Sequence, residues 1–201
     1  MDKLKAKDFI TLGIFTLLFF IVTMVCIFAS AASVVTYAFG SAIAAVFAGL
    51  IYMLMRAKVA KPWGILLSGA VVGIIEFLMG AGIATALGFI VGAVLAEIIS
   101  RIGGYKSFIL NSIGYAVYMC GFALGTYLPM VIMTDYVDSM SSSNGVNTEF
   151  LTSLHDFMSG KMVVIIVIAT FICSLIGAFL AKLIFKKHFI KAGMIGGSYG
   201  E

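Results

Sequence analysis

Six long apolar runs constrain this chain more than any other feature of its sequence. A helix needs about 20 mainly apolar residues to cross the roughly 30 Å hydrocarbon core of a bilayer. Helices are required there because each backbone amide in lipid must find its hydrogen-bond partner within the protein. The runs cover approximately residues 9–30, 34–55, 63–79, 83–100, 108–134 and 161–185. The sequence therefore predicts an all-α integral membrane protein, a six-helix bundle with several passes through the cell membrane.

The composition excludes most other classes of protein. Hydrophobic residues make up 62% of the chain and charged residues 11%, against about 25% charged residues in soluble domains. Such a chain has too few charges to solvate a water-facing surface, so soluble enzymes, disordered regulators and nucleic-acid binders are excluded despite the net charge of +4. We expect the lipid bilayer, and no nucleic acid, as its partner. A single transmembrane bundle is predicted over residues 1–188, with a short cytoplasmic tail at 189–201.

The basic residues predict the orientation, because short cytoplasmic loops retain Lys and Arg. Twelve of the 13 basic residues fall in four clusters, at residues 3–7, 56–61, 101–106 and 182–191, and only Lys161 lies on the other side. This alternation indicates an even number of spans with both termini in the cytoplasm.

The longest polar segment, residues 135–160, is therefore predicted to be external, and it carries four acidic residues. Loops of this length are either functional covers or loosely ordered connectors, and both interpretations stay open. Residues 148–158 have apolar side chains at helical spacing, which predicts a short amphipathic helix.

Two features of the spans have more than one interpretation. Residues 80–82, Gly-Ala-Gly, separate the third and fourth runs so briefly that a re-entrant hairpin is an alternative to two full spans.

Small residues recur every four positions in three spans: Ala84, Gly88, Gly92, Ala96 and Ser100; Gly40, Ala44 and Ala48; Ala169, Cys173, Gly177 and Ala181. Such ridges mark close helix contacts, either inside the bundle or with another membrane subunit.

Two acidic residues lie within apolar runs, where an ionisable group is expected to face the bundle interior or water. Glu76, near the external end of the third run, is interpreted either as a ligand-binding carboxylate for a cationic or hydrogen-bond-donating ligand, or as a structural carboxyl. Glu97 precedes Arg101 by four residues. This spacing favours an ion pair between them, or a contact with a partner, over substrate binding.

Aromatic and polar residues near the predicted external side are candidates for a ligand pocket, which needs apolar walls and a few placed polar groups. The predicted substrate-binding residues are Tyr37, Glu76, Thr85, Tyr127 and Asn144. Tyrosines at span ends also anchor helices in the headgroup region, so this alternative remains for Tyr37. Pro129 leaves the carbonyl of residue 125 without its helical amide donor, which bends the helix and exposes an acceptor.

The sequence contains no recognisable catalytic set. The two histidines, His155 and His188, lie in the predicted external loop and in the basic tail, where neither a Ser/His/Asp triad nor a histidine metal centre can be assembled. A phosphate-binding loop of the form GxxxxGK[ST] is also absent. We therefore expect no catalytic residues, no metal site, no cofactor and no enzyme activity.

Several segments resemble a known family. The strings KLKAKDFITLGIFT, AGLIYMLMRAKVAK and GAVLAEIISRIGGYKS, the last followed by LNSIGYAVY, are similar to the substrate-binding membrane subunits, or S components, of energy-coupling factor (ECF) importers, in particular the Trep_Strep group. The similarity extends from about residue 3 to residue 187. The first span departs from the family, because Gly13 and Thr16 stand where S components carry an AxxxA docking pattern, and spans two, three or six are expected to contribute to docking.

The resemblance implies a membrane-embedded subunit that captures a vitamin or other small micronutrient at its external side. The pocket would be capped by the first external loop, about residues 30–34, and by residues 135–160. A separate transmembrane coupling subunit and two ATPase subunits would supply the energy, and the S component would topple in the membrane to deliver its ligand inward. Two alternatives remain: a self-contained small secondary transporter or channel with Glu76 as its coupling carboxyl, or a structural subunit without a ligand.

Overall fold

A computed structural model describes residues 3–133 and 148–189, and helices dominate both ranges. The α-helices are α1 (Ala6–Ser30), α2 (Val34–Ala38), α3 (Gly40–Lys58), α4 (Gly64–Leu78), α5 (Ile83–Ile102), α6 (Phe108–Tyr127), α7 (Pro129–Ile132), α8 (Thr148–Phe157) and α9 (Gly160–Ile184). A short π-helix, Phe185–Phe189, continues α9. Residues 190–201, most of the predicted tail, lie outside the described part.

The prediction of an all-α membrane bundle is confirmed. Within the described residues, five helical segments are long and apolar enough to cross a membrane: Ala6–Ser30, Gly40–Lys58, Ile83–Ile102, Phe108–Ile132 and Gly160–Lys187. The third predicted span is α4, which has only 15 residues and measures about 22 Å at 1.5 Å per residue. Because that is shorter than the hydrocarbon core, six complete crossings stay a prediction.

Two of the predicted spans contain a break in the helix. The run 34–55 is interrupted at Phe39, between α2 and α3, and α3 continues to Lys58. A side chain at Gly40 would place its Cβ 2.8 Å from Ser30 Oγ, so this glycine lets α3 begin directly beside the end of α1. The run 108–134 is interrupted at Leu128, before Pro129, because proline has no amide hydrogen to continue the helical bonding.

The six longer helices form a closed ring in the order α1, α3, α9, α6, α5, α4. Small residues set the closest contacts, since Gly88 of α5 faces Gly121 and Gly125 of α6, and Gly177 of α9 faces Val46 of α3. The small-residue ridges of α5 and α9 therefore serve packing inside the bundle, as one of the two interpretations predicted. Large apolar side chains such as Ile14, Val91 and Ile168 remain exposed on the outside of the ring, where lipid would cover them.

The described basic clusters gather at one end of the bundle, which we call the basic end. Lys61 forms a 2.6 Å ion pair with Asp8 at the start of α1, and Arg56 lies over the ring of Tyr105 at 5.3 Å. Lys182 similarly lies over Phe108 at 5.4 Å. The opposite, distal end is formed by α2, the turn at residues 79–82, α7 and α8.

Candidate functional site

A small, partly open cavity of about 70 Å³ lies at the distal end of the bundle. Its walls come from six helices, α1, α2, α4, α5, α6 and α7, and from the turn that joins α4 to α5. The lining residues are Met24, Ile27, Tyr37, Glu76, Ala81, Thr85, Phe122, Thr126, Tyr127 and Met130. Apolar and aromatic walls with a few polar groups are typical of ligand pockets.

Four of the five predicted substrate-binding residues line this one cavity. They are Tyr37, Glu76, Thr85 and Tyr127, which come from four different helices and are separated by up to 90 positions in the chain. The fifth, Asn144, lies outside the described residues, so its membership of the site stays a prediction.

Glu76 is the charged group of the cavity. The residue is 3% exposed, and its Oε1 atom is buried without a hydrogen-bond partner anywhere in residues 3–133 and 148–189. Burial of an unpaired carboxylate costs several kcal/mol in membrane proteins, so such groups usually mark a functional site. The described protein atoms therefore leave one oxygen of the Glu76 carboxyl without a hydrogen-bond donor.

The hydroxyl groups around Glu76 are bonded to backbone carbonyls. Tyr127 donates to the carbonyl oxygen of Tyr37 at 2.8 Å, and Thr126 donates to that of Phe122 at 3.0 Å. Thr85 lies 3.5 Å from the carbonyl oxygen of Gly125, the acceptor that Pro129 was predicted to expose. These contacts fix the cavity walls across three helices.

Helices α2 and α8 pack against each other at the distal end of the bundle, beside the cavity, and we call this pair the cap. The rings of Tyr37 and Phe150 meet edge to face, 5.5 Å apart, and Leu154 is fully buried. Ser33 caps α2 by accepting the amide of Thr36 at 3.2 Å. The short amphipathic helix predicted at residues 148–158 is thus confirmed, and it packs as a cover over part of the bundle.

The predicted ion pair between Glu97 and Arg101 is wrong. The Glu97 carboxylate instead accepts the amides of Trp63 at 2.6 Å and Ile65 at 3.1 Å, at the start of α4. These amides have no partner within their own helix, and an anion there is also favoured by the helix dipole. Trp63 adopts a left-handed backbone conformation, with φ of 70°. The Glu97 side chain of α5 therefore caps the N-terminus of α4.

Larger grooves occur elsewhere but lack the features of a binding site. One of about 270 Å³ lies at the basic end between α4 and α5, lined in part by Glu97, whose oxygens already accept two amides. Another of about 500 Å³ lies between α1 and α3 and is almost wholly apolar, as expected of a surface in contact with lipid. The distal cavity is smaller, but it combines burial with an unpaired charge.

Sequence reasoning missed several members of the cavity. Thr126 could have been predicted to line the pocket, because it is a polar residue next to Tyr127 in the last helical turn before Pro129. Nothing in the sequence marks Met24 and Ile27 of α1 as pocket residues, because apolar residues in a lipid-crossing helix look alike whether they face lipid or a cavity. The aromatic residues Phe89 and Tyr118 pack 5.5 Å apart beneath the cavity and do not line it.

The model of a family described as a hypothetical bacterial integral membrane protein (Trep_Strep) matches residues 6–191, nearly the whole chain. No curated protein and no solved structure matches this chain.

Proposed function

The chain belongs to the Trep_Strep family of bacterial integral membrane proteins, and we propose that it is the substrate-binding S component of an ECF importer. It captures a vitamin or other small micronutrient at the distal cavity and passes it inward without changing it chemically. A separate transmembrane coupling subunit and two ATPase subunits supply the energy. In this proposal the distal end faces the exterior and the basic end faces the cytoplasm.

One observation carries the proposal: a buried carboxyl with an unpaired oxygen lines a small cavity on the predicted external side of a membrane bundle. The Oε1 atom of Glu76 has no hydrogen-bond partner among the described residues, and aromatic and hydroxyl groups line the same cavity. In a purely structural subunit we would expect side chains to fill such a cavity and a donor to pair with the carboxylate. An empty cavity and an unpaired buried carboxylate both destabilise a fold.

The size of the cavity implies that the cap moves. A volume of about 70 Å³ holds roughly two waters, whereas pockets for drug-sized ligands measure about 300–1,000 Å³. In this closed form only one small group of a nutrient would fit. Displacement of α2 and α8, which pack against each other through Tyr37 and Phe150, would enlarge the cavity from its distal side.

Affinity purification from the native membrane tests the proposal. An S component should co-purify with a coupling subunit and two ATPases, and native mass spectrometry of the gently extracted chain should detect a small-molecule adduct. Glu76→Gln should weaken calorimetric binding of the identified solute. Absence of both the ATPases and an adduct would overturn the proposal.

A self-contained secondary transporter or channel is the second candidate, because an unpaired carboxyl within a membrane helix is also typical of proton or ion coupling. Purified protein reconstituted in liposomes distinguishes the two. Transport of solute driven by an ion gradient, with no ATPase present, would favour the secondary transporter, whereas an S component alone should bind without sustained transport.

A further inference from the structure

Three hydroxyl groups around the distal cavity already donate hydrogen bonds to backbone carbonyl oxygens. Tyr127 and Thr126 donate to the carbonyl oxygens of Tyr37 and Phe122, and Thr85 donates over a longer distance to that of Gly125. Since a carbonyl oxygen can only accept, the Thr85 and Thr126 hydroxyls keep only lone pairs for a ligand, whereas the Tyr127 hydroxyl is also bonded to Ser41. An ionised Glu76 also only accepts. These groups therefore present acceptors to whatever occupies the cavity.

The described lining residues include no Lys, Arg or His. A ligand carboxylate or phosphate would meet the Glu76 charge without a cation to offset it, so the lining disfavours anions. A ligand with several N–H donors and a positive charge matches it instead, because hydrogen bonds between charged donors and carboxylates are the strong ones.

The apolar walls of the cavity favour an organic cation over a metal ion as the ligand. Hard metal ions take six or more oxygen ligands, and no group of three His, Cys, Asp or Glu side chains that could hold a metal ion occurs in the described ranges. The cavity offers one carboxyl, and much of its wall is formed by Met24, Ile27, Phe122 and Met130. Aromatic rings attract organic ammonium ions, and the Phe122 ring is held in place by stacking on Phe89 at 4.6 Å.

We propose that the distal cavity binds the protonated primary or secondary amino group of the solute, with its N–H groups directed at Glu76 and the threonine hydroxyls. This inference names the substrate class and rests on the binding role of the cavity in the proposed function. At about 70 Å³ the closed cavity holds an amino group with one or two carbon atoms, and the rest of the solute extends toward the cap.

Salts of small cations test the proposal on the purified full-length protein in lipid nanodiscs. Methylammonium chloride, sodium chloride and tetramethylammonium chloride are titrated at matched ionic strength while the thermal unfolding midpoint is measured. Methylammonium should raise the midpoint saturably. Tetramethylammonium, which has no N–H group, and sodium should raise it less. Equal responses to the three salts, or the largest response to sodium, would overturn the proposal.

Two carboxylate variants localise the effect. Glu76→Gln should lose the methylammonium response, whereas Glu149→Gln, which alters an exposed carboxylate of α8 outside the cavity lining, should keep it. A Glu76→Gln protein that still responds would overturn the proposal. If that variant does not fold, the comparison of the three salts on the unmodified protein still decides the matter.

The proposed function and this inference can fail separately. A co-purified solute without a basic nitrogen, bound equally by wild type and Glu76→Gln, would overturn the ammonium site and leave the importer role standing. A saturable methylammonium response without any co-purified coupling subunit would count against the importer role and support the ammonium site.

Discussion

The hydroxyl of Tyr127 donates a 2.8 Å hydrogen bond to the backbone carbonyl of Tyr37, 90 positions earlier in the chain. This bond joins Tyr127, the last residue of α6 before the break at Leu128, to the penultimate residue of α2 in the cap. Both residues line the cavity. The bond therefore couples the wall of the candidate site to the cap.

Tyr127→Phe should loosen the cap. The change removes this donor from the Tyr37 carbonyl, and a hydrogen bond of this kind contributes about 0.5–1.5 kcal/mol to stability. Hydrogen exchange should show faster exchange in residues 34–38 than in the wild type. Tyr115→Phe is the matched control, because it removes a 2.7 Å bond to the Ala45 carbonyl within the bundle and should leave cap exchange unchanged. Equal protection of α2 in Tyr127→Phe and wild type would contradict the coupling.

Glu97→Ala should destabilise the protein by about 1.5–3 kcal/mol, the range for hydrogen bonds to charged groups, because the amides of Trp63 and Ile65 lose their acceptor. Chemical or thermal unfolding in detergent measures the difference. Arg101→Ala is the control, since Arg101 is exposed and forms no ion pair with Glu97 in the described structure. Equal losses in the two variants would instead indicate an ion pair between these residues.

Gly177→Ala should lower stability by about 1–3 kcal/mol, as expected of overpacking. A Cβ at this position would lie 2.7 Å from the carbonyl oxygen of Val46, and a backbone atom cannot move aside as a flexible side chain can. Gly13→Ala provides the comparison, because a Cβ there meets nothing within 4 Å. The unfolding midpoint should fall for Gly177→Ala only, and an unchanged midpoint would show that α3 and α9 can separate without cost.

The orientation is tested by labelling single cysteines on intact cells after Cys26, Cys120 and Cys173 are replaced by alanine. A membrane-impermeant thiol reagent should modify Ser142→Cys, in the acidic loop, and should modify Ser198→Cys, in the tail, only after permeabilisation. This result follows from the retention of basic residues on the cytoplasmic side. Labelling of both positions in intact cells would place the loop and the tail in one compartment and refute the predicted orientation.

Much of the candidate site could be predicted because its chemistry is unusual for its surroundings. A carboxyl such as Glu76, or hydroxyls and aromatics such as Thr85 and Tyr127, stand out within apolar spans. The same reasoning failed for Glu97, since an ion pair four residues along one helix is only one of the contacts that a buried carboxylate can make. Its actual partners lie more than 30 positions away, and local spacing carries no information about them.

Three features could be predicted from the sequence alone: the apolar runs that form the longer helices, the clustering of basic residues at one end, and the helix breaks at residues 80–82 and Pro129. These follow from hydropathy, charge and backbone chemistry, which act locally along the chain. The fold was needed to show that Glu97 caps α4, that Gly177 meets Val46, and that Met24 and Ile27 face the cavity together with Glu76. Those relationships depend on which helices become neighbours and how they are rotated, and in lipid that choice rests on shape and backbone approach rather than on polarity.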